Sequence, residues 1–434
     1  MTIKSSSSHF TYDPRWKVRF FAFWGGQALS LVGSALTQFV LIWWITQTTG
    51  SATSLALLTM AALLPAALFS PLGGAIADRF NRRLIMIVTD AVTAACILVI
   101  VSLYTAGTIQ LWHVYLLTFI RSTMQAFQRP AAVSSTPNLV PNHWLDRVAG
   151  MNQALEGIMT IAAAPLGALA LAVFPIQNAL MIDVVTALLG ITPLFFIHIP
   201  QPRREDAVTV GSIVTDIRQG AVYILQRRGL VALSAVTALV VMALLPCFSL
   251  SPLLVTQYFG GGVNDVAVME GLSGVGMILG GLLVSVRSFS KRRTIATLMG
   301  YSLSCGAIAL TGLAPQNMFW LAVAWWFISG ATYSMGNAPM MALLQSVIPN
   351  DLQGRVFSLL NVLTGLAGPI GLAFTGPLAE WIGVQRAFVL CGVLSTLICL
   401  AAFLSRDLIN LEEDIQIAFE PDNSVETTSE NLPG

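Results

Sequence analysis

Apolar runs of about twenty residues recur along nearly the whole chain, the length at which a helix spans roughly 30 Å of hydrocarbon. Lipid offers no partner to a backbone N–H or C=O, so segments that cross it must be helical. Composition removes the alternative of a soluble core. Of the 434 residues, 55% are hydrophobic and 10% charged, against about 25% charged in soluble domains. So few charges cannot cover a soluble surface. The runs predict spans at about 18–46, 54–77, 84–106, 112–133, 148–173, 178–199, 230–258, 266–289, 295–313, 317–341, 356–382 and 386–404. The expected fold is an all-α membrane protein with twelve transmembrane helices in two six-helix bundles, 18–199 and 230–405. Residues 1–17 read as a polar terminus, 200–229 as a linker and 406–434 as an acidic tail. A polar start before a run too long for a signal sequence predicts no cleavable leader.

Charge sets the expected orientation. Lys and Arg are retained on the cytoplasmic side of bacterial-type membranes. Fifteen basic residues fall at even-numbered junctions, among them Arg79, Arg82, Arg83, Arg147, Arg218, Arg227, Arg228, Arg293 and Arg355. Five more lie in the two termini, which leaves only Arg121 and Arg386 of the 22 elsewhere. Both termini are therefore expected to be cytoplasmic, with the protein in the cell inner membrane. In the linker, Val210, Ile213, Val214 and Ile217 recur at helical spacing near Arg218, Arg227 and Arg228, which predicts an amphipathic helix on the cytoplasmic leaflet. The acidic tail is expected to be solvated.

The two halves repeat. Val140-Pro141-Asn142 followed by Arg147-Val148 matches Ile348-Pro349-Asn350 followed by Arg355-Val356. Pro165-Leu166-Gly167 matches Pro369-Ile370-Gly371, and Gly73-Gly74 matches Gly280-Gly281. Parallel six-plus-six repeats are a transporter architecture, with the substrate site between repeats near mid-membrane.

Gly73-Gly74-Ala75-Ile76-Ala77-Asp78-Arg79-Phe80-Asn81-Arg82-Arg83 resembles the signature loop of the major facilitator superfamily. Trp24 to Leu31, Phe119-Ile120-Arg121-Ser122, Met277 to Leu283 and Gly354 to Leu359 are similar to the macrolide-efflux branch of its drug:proton antiporters, which also contains siderophore exporters. The resemblance implies a gating latch of Gly73, Gly74, Asp78, Arg79, Arg82 and Arg83, and a functional arginine in the fourth helix, which Arg121 with Gln125 matches in part. Helix five departs from the antiporter pattern Gly-Pro-x-x-Gly-Gly, reading Ala164-Pro165-Leu166-Gly167-Ala168.

Ionisable residues inside spans cost at least ~2.5 kcal/mol near the helix centre and mark function by default. Six occur here: Asp90, Arg121, Glu156, Asp183, Glu270 and Glu380. Arg121 keeps its charge and needs an anionic or carbonyl partner, for which Asp90 and Glu156 are candidates. A carboxyl group shielded from water can load and release a proton. The proton-coupling candidates are therefore Asp183, Glu270, Arg121, Asp90 and Glu156. Asp183 and Glu270 lie close enough to their span ends for a wet vestibule or a helix cap to account for them equally. Glu380 reads as interfacial. Gln27, Gln38, Gln125, Phe127 and Trp325 are candidates for a substrate cavity.

Cys96, Cys247, Cys305, Cys391 and Cys399 all sit in apolar runs without ligand spacing, and no GxxxxGK[ST] stretch occurs. No enzyme activity, cofactor, metal or nucleic-acid partner is expected. The expected partners are a small-molecule substrate, protons and the lipid bilayer, with the protein a monomer. The leading expectation is a proton antiporter exporting amphipathic, macrolide-like compounds. The alternatives are export of an endogenous metabolite such as a siderophore, lysophospholipid flipping, or a receptor-like protein without coupled transport.

Overall fold

A computed structural model describes residues 15–197, 199, 210–286, 290 and 292–412, with side chains for all of these but 210–217 and 350–351. The first six long helices are α1 (Trp16–Thr49), α2 (Ala52–Arg79), α3 (Arg82–Thr105), α4 (Leu111–Ser135), α5 (Leu145–Val173) and α6 (Ile176–Phe196). The linker carries α7 (Val210–Leu225). Six more long helices follow: α8 (Arg228–Leu253), α9 (Val263–Val286), α10 (Arg293–Leu313), α11 (Phe319–Val347), α12 (Asn350–Ile382) and α13 (Val384–Ala402). A short α14 (Arg406–Ile409) comes last. Most predicted bounds lie within about three residues of the helices. α11 and α12 each run six residues past the hydropathic estimate, because a helix does not stop where the hydrocarbon does.

Ten of the twelve long helices are apolar enough to be recognised as spans by composition. The other two are α4 and α11, the fourth helix of each set of six. α4 carries Arg121, Gln125, Gln128 and Arg129, and α11 carries Asn337, Gln345 and several Ser and Thr residues. The least lipid-like helix thus holds the same place in both repeats.

By contact the chain divides into two compact units over the described residues. One comprises Met1–Val210, Ser249–Gly274 and Leu372–Val384, the other Gly211–Phe248, Val275–Gly371 and Gln385–Gly434. In the first unit α1 packs on α5 and α6, α2 on α4, and α3 on α4 and α6. The sequence repeat returns as a repeat of packing inside each unit. A side chain added at Gly73 of α2 would meet the Ala126 carbonyl of α4, and one added at Gly280 of α9 would meet the Ala331 carbonyl of α11. Gly167 of α5 backs onto Phe39 of α1. Gly371 of α12 backs onto the Met242 backbone of α8. Small residues let helices approach closely where lipid gives no hydrophobic drive to associate.

Ser51 caps α2 by accepting from the Ser54 N–H at 3.0 Å. Glu380 of α12 reinforces that cap, accepting from the Thr53 N–H at 3.1 Å and from the Ser51 hydroxyl. Glu380 is therefore a partner of a helix N-terminus, where negative charge is favoured. The linker helix forms as the apolar spacing implies, though the side chains of 210–217 lie outside the described residues. Its later turns pack on protein, with the Tyr223 hydroxyl donating to the Val347 carbonyl at 3.1 Å and Gly220 against the Arg355 backbone. The start of the acidic tail is ordered, contrary to expectation. Leu408 and Leu411 are buried, and the Glu412 carboxylate accepts from the Arg293 N–H at 2.9 Å, capping α10. The rest of the tail, from 413, lies outside the described residues.

Candidate functional site

Arg121 lies ten residues into α4, about 15 Å along the helix at ~1.5 Å per residue. It is 4% exposed and Asp183 of α6 is 1% exposed. Arg121 Nη2 donates to Asp183 Oδ2 at 2.8 Å, and Ser34 Oγ of α1 donates to Asp183 Oδ1 at 3.1 Å. The backbone makes room for this group. A side chain at Gly33 of α1 would collide with Thr186 and crowd Asp183, and Gly26 and Gly190 bring the same two helices together one level away. A charged pair removed from water is tolerated only when closely matched and hydrogen-bonded, and this pair is both.

Asp183 is therefore a deeply buried carboxyl paired with arginine rather than one at a vestibule or a helix cap. It also supplies the partner that Arg121 requires. Asp90 and Glu156 do not take that position. Asp90 is 7% exposed on α3, with Gln27 and Asp183 as its interacting neighbours. Its Oδ2 has no hydrogen-bond partner among the described residues, and neither do Gln27 Nε2, Thr37 Oγ1, Thr118 Oγ1 and Arg121 Nε. Gln27 joins the group through a hydrogen bond to its Oε1 from Gln128 of α4. α1, α3, α4 and α6 thus enclose one polar seam within the first unit.

Glu156 lies elsewhere. It forms an ion pair with Arg129, and both side chains are exposed, at 49% and 73%. Glu270 on α9 is half-buried and accepts from the Ser251 hydroxyl of α8. Of the five coupling candidates, the structure brings together Arg121, Asp183 and Asp90, and separates Glu156 and Glu270 from them. Among the cavity candidates, Gln27 belongs to the seam. Gln38 and Phe127 are half-buried and Gln125 is exposed. Trp325 is half-buried on α11, and its neighbour Trp326 is buried with its ring 4.8 Å from Phe248.

Sequence reading missed Ser34 and Gln128. Gln128 was within reach of helical geometry: at seven residues from Arg121 it lies about 20° from the arginine's direction, whereas Gln125 lies about 40° away. Nothing in the sequence distinguished Ser34 from the other hydroxyls of α1.

At the α2–α3 loop, Arg82 is buried. Its Nε donates to the Ala77 carbonyl at 3.0 Å, its Nη1 to the Ser134 carbonyl at 2.6 Å and its Nη2 to Asp78 at 3.2 Å. One guanidinium thereby ties the end of α2 and the start of α3 to the end of α4. Arg83 Nη2 donates to the Phe195 carbonyl at the end of α6, at 2.8 Å. Asn81 caps α3 by accepting from the Leu84 N–H at 3.3 Å. Gly73 touches the α4 backbone, Gly74 faces open space, and Arg79 is exposed.

The sequence pattern of the Major Facilitator Superfamily matches residues 23–372 and 248–421. The chain belongs to that family. Macrolide efflux protein A of Streptococcus pyogenes is 34% identical over 393 residues, which are 89% of this chain and 95% of that protein. The multidrug efflux pump Tap of Mycolicibacterium fortuitum is 24% identical, over 86% of this chain and 92% of its own. The fold also matches the crystal structure of the nucleoside transporter NupG, with a TM-score of 0.71 at 13% identity over 90% of this chain and 98% of that one. This major facilitator protein is accordingly a multi-pass membrane transporter of small molecules rather than an enzyme.

Proposed function

We propose that this transporter exports amphipathic, macrolide-like compounds from the cell in exchange for protons, through alternating access of its six-helix halves, 18–199 and 230–405. The similarity to Macrolide efflux protein A over nearly the full length of both chains supports the direction and the substrate class. The observation that carries the coupling is the Arg121–Asp183 pair, buried in the first unit with orphaned polar atoms around it. Ionisable side chains inside a span mark proton relays by default, and the orphaned polar atoms beside this pair offer positions for a proton. The basic even-numbered junctions support cytoplasmic termini and residence in the inner membrane. In this reading the Asp78–Arg82 cluster is the cytoplasmic latch, working as a monomer's internal gate.

The test uses proteoliposomes carrying a pH gradient and a host stripped of its own pumps. Expression is expected to raise the macrolide concentration the host tolerates, and a macrolide is expected to evoke proton movement in the vesicles. Asp183→Asn should abolish both. Macrolide resistance without macrolide-evoked proton movement would remove the antiport assignment. No change across macrolides and other amphipathic drugs would remove the substrate class.

A further inference from the structure

The polar seam contains three ionisable side chains whose charges do not balance. Arg121 carries one positive charge that it cannot lose. Asp183 and Asp90 together carry two negative charges when both are ionised. All three are more than nine-tenths buried, and Asp183 has Arg121 and Ser34 as partners. Asp90 has no cationic partner, and its Oδ2 is orphaned. An unpaired carboxylate in this environment is far more costly than a neutral carboxyl.

The surrounding helices offer no other compensation. α4 presents Arg121, already engaged by Asp183. α6 presents Asp183, which repels a charge on Asp90. α1 presents Gln27, which is neutral. On α3 itself, Arg82 is eight residues away, about 12 Å along the axis, and is committed to Asp78, Ala77 and Ser134. Arg83 donates to the Phe195 carbonyl, and Arg129 of α4 is paired with Glu156. α2 brings charge to α3 only through Asp78 and Arg79 at its end.

We infer that the seam binds one monovalent cation, a proton carried on Asp90, while Arg121 is paired with Asp183. This rests on the antiport reading for its role in transport, but not for its existence. The second oxygen of Asp90 becomes a donor when protonated, which gives the orphaned atom a function. Gln27 and Gln128 continue the polar seam from Asp90 to α4. The single arginine thus leaves one carboxyl to be neutralised, and Asp90 is the one with no cationic partner and an orphaned Oδ2.

Infrared difference spectra of the purified, full-length protein, taken across a pH step in H2O and D2O, read this directly. The wild type is expected to show a neutral-carboxyl C=O band at neutral pH. Asp90→Asn, which mimics the neutral state, should fold normally and lose that component. In proteoliposomes the same variant should lose macrolide-evoked proton movement. If Asp90→Asn does not purify, Asp90→Glu retains the carboxyl and should move the band rather than remove it. The inference is overturned if the wild type has no neutral-carboxyl band. It is equally overturned if the band is unchanged in both variants, or if sodium alone at fixed pH removes it. Absence of macrolide-evoked proton movement in the wild type, with the Asp90 band present, would defeat the antiport reading and leave the site standing.

Discussion

Arg121 shows what a buried charge demands of its neighbours. Removing one member of such a pair leaves an uncompensated charge and costs about 3–5 kcal/mol, whereas replacing both with apolar residues can be neutral or stabilising. Arg121→Ala and Asp183→Ala are therefore each expected to lower the thermal unfolding temperature in detergent sharply. The double variant Arg121→Met/Asp183→Leu should unfold near the wild-type temperature and still not transport. Equal loss in the double variant would mean that the pair is not what the single variants disturb. The depth of Arg121 within an apolar run made its need for a partner legible in the sequence. Which acid answered was not legible, because depth along the spans pointed to Asp90 and Glu156 and placed Asp183 near the external end of its helix. The choice depends on helix rotation, and α6 turns Asp183 inward against Gly33 while α5 turns Glu156 outward to Arg129.

Close helix contacts discriminate between adjacent glycines. Gly73 and Gly280 lie against backbone carbonyls of α4 and α11, whereas Gly74 and Gly281 meet nothing. Gly73→Val and Gly280→Val are expected to reduce the yield of monodisperse protein in size-exclusion chromatography. Gly74→Ala and Gly281→Ala should match the wild type. The paired glycines were visible as a repeat, but the sequence treats both members alike. Only the rotational setting of α2 and α9 separates the packing glycine from the open one. A second expectation concerns the loop between α2 and α3. Arg82→Lys keeps the charge but loses the planar fork that serves three acceptors on two sides, so it should weaken the α2–α4 tie almost as much as Arg82→Ala. Limited proteolysis after Arg79 would report this as faster cleavage in both variants than in the wild type.

Across the whole chain, the distribution of basic residues is expected to govern insertion. Fusions to a cytoplasm-dependent fluorescent protein are expected to glow at residue 434, and fusions to an export-dependent phosphatase are expected to be active at Gly107. The reverse pattern would overturn the orientation drawn from the even-numbered junctions. Twelve helices in two repeated sets were legible because lipid imposes helical structure and a fixed span length on any chain that crosses it. Even α4 and α11, the two least apolar of the long helices, were legible as apolar runs at 112–133 and 317–341.

The Gly73–Arg83 loop carried the resemblance to the family, and hydropathy, charge placement and the internal repeat by themselves determined the number of spans and their approximate ends. They did so because each reflects a one-dimensional constraint, namely the thickness of the hydrocarbon, the sidedness of basic loops and the duplication of a segment. Tertiary structure alone decided that Asp183 holds Arg121, that Asp90 stands beside it without a cationic partner, and that Glu380 and Glu412 cap helices remote from them in the sequence. Those outcomes depend on how each helix is rotated about its axis, and rotation is set by close contacts such as those at Gly33, Gly73 and Gly167, which join residues far apart in the chain.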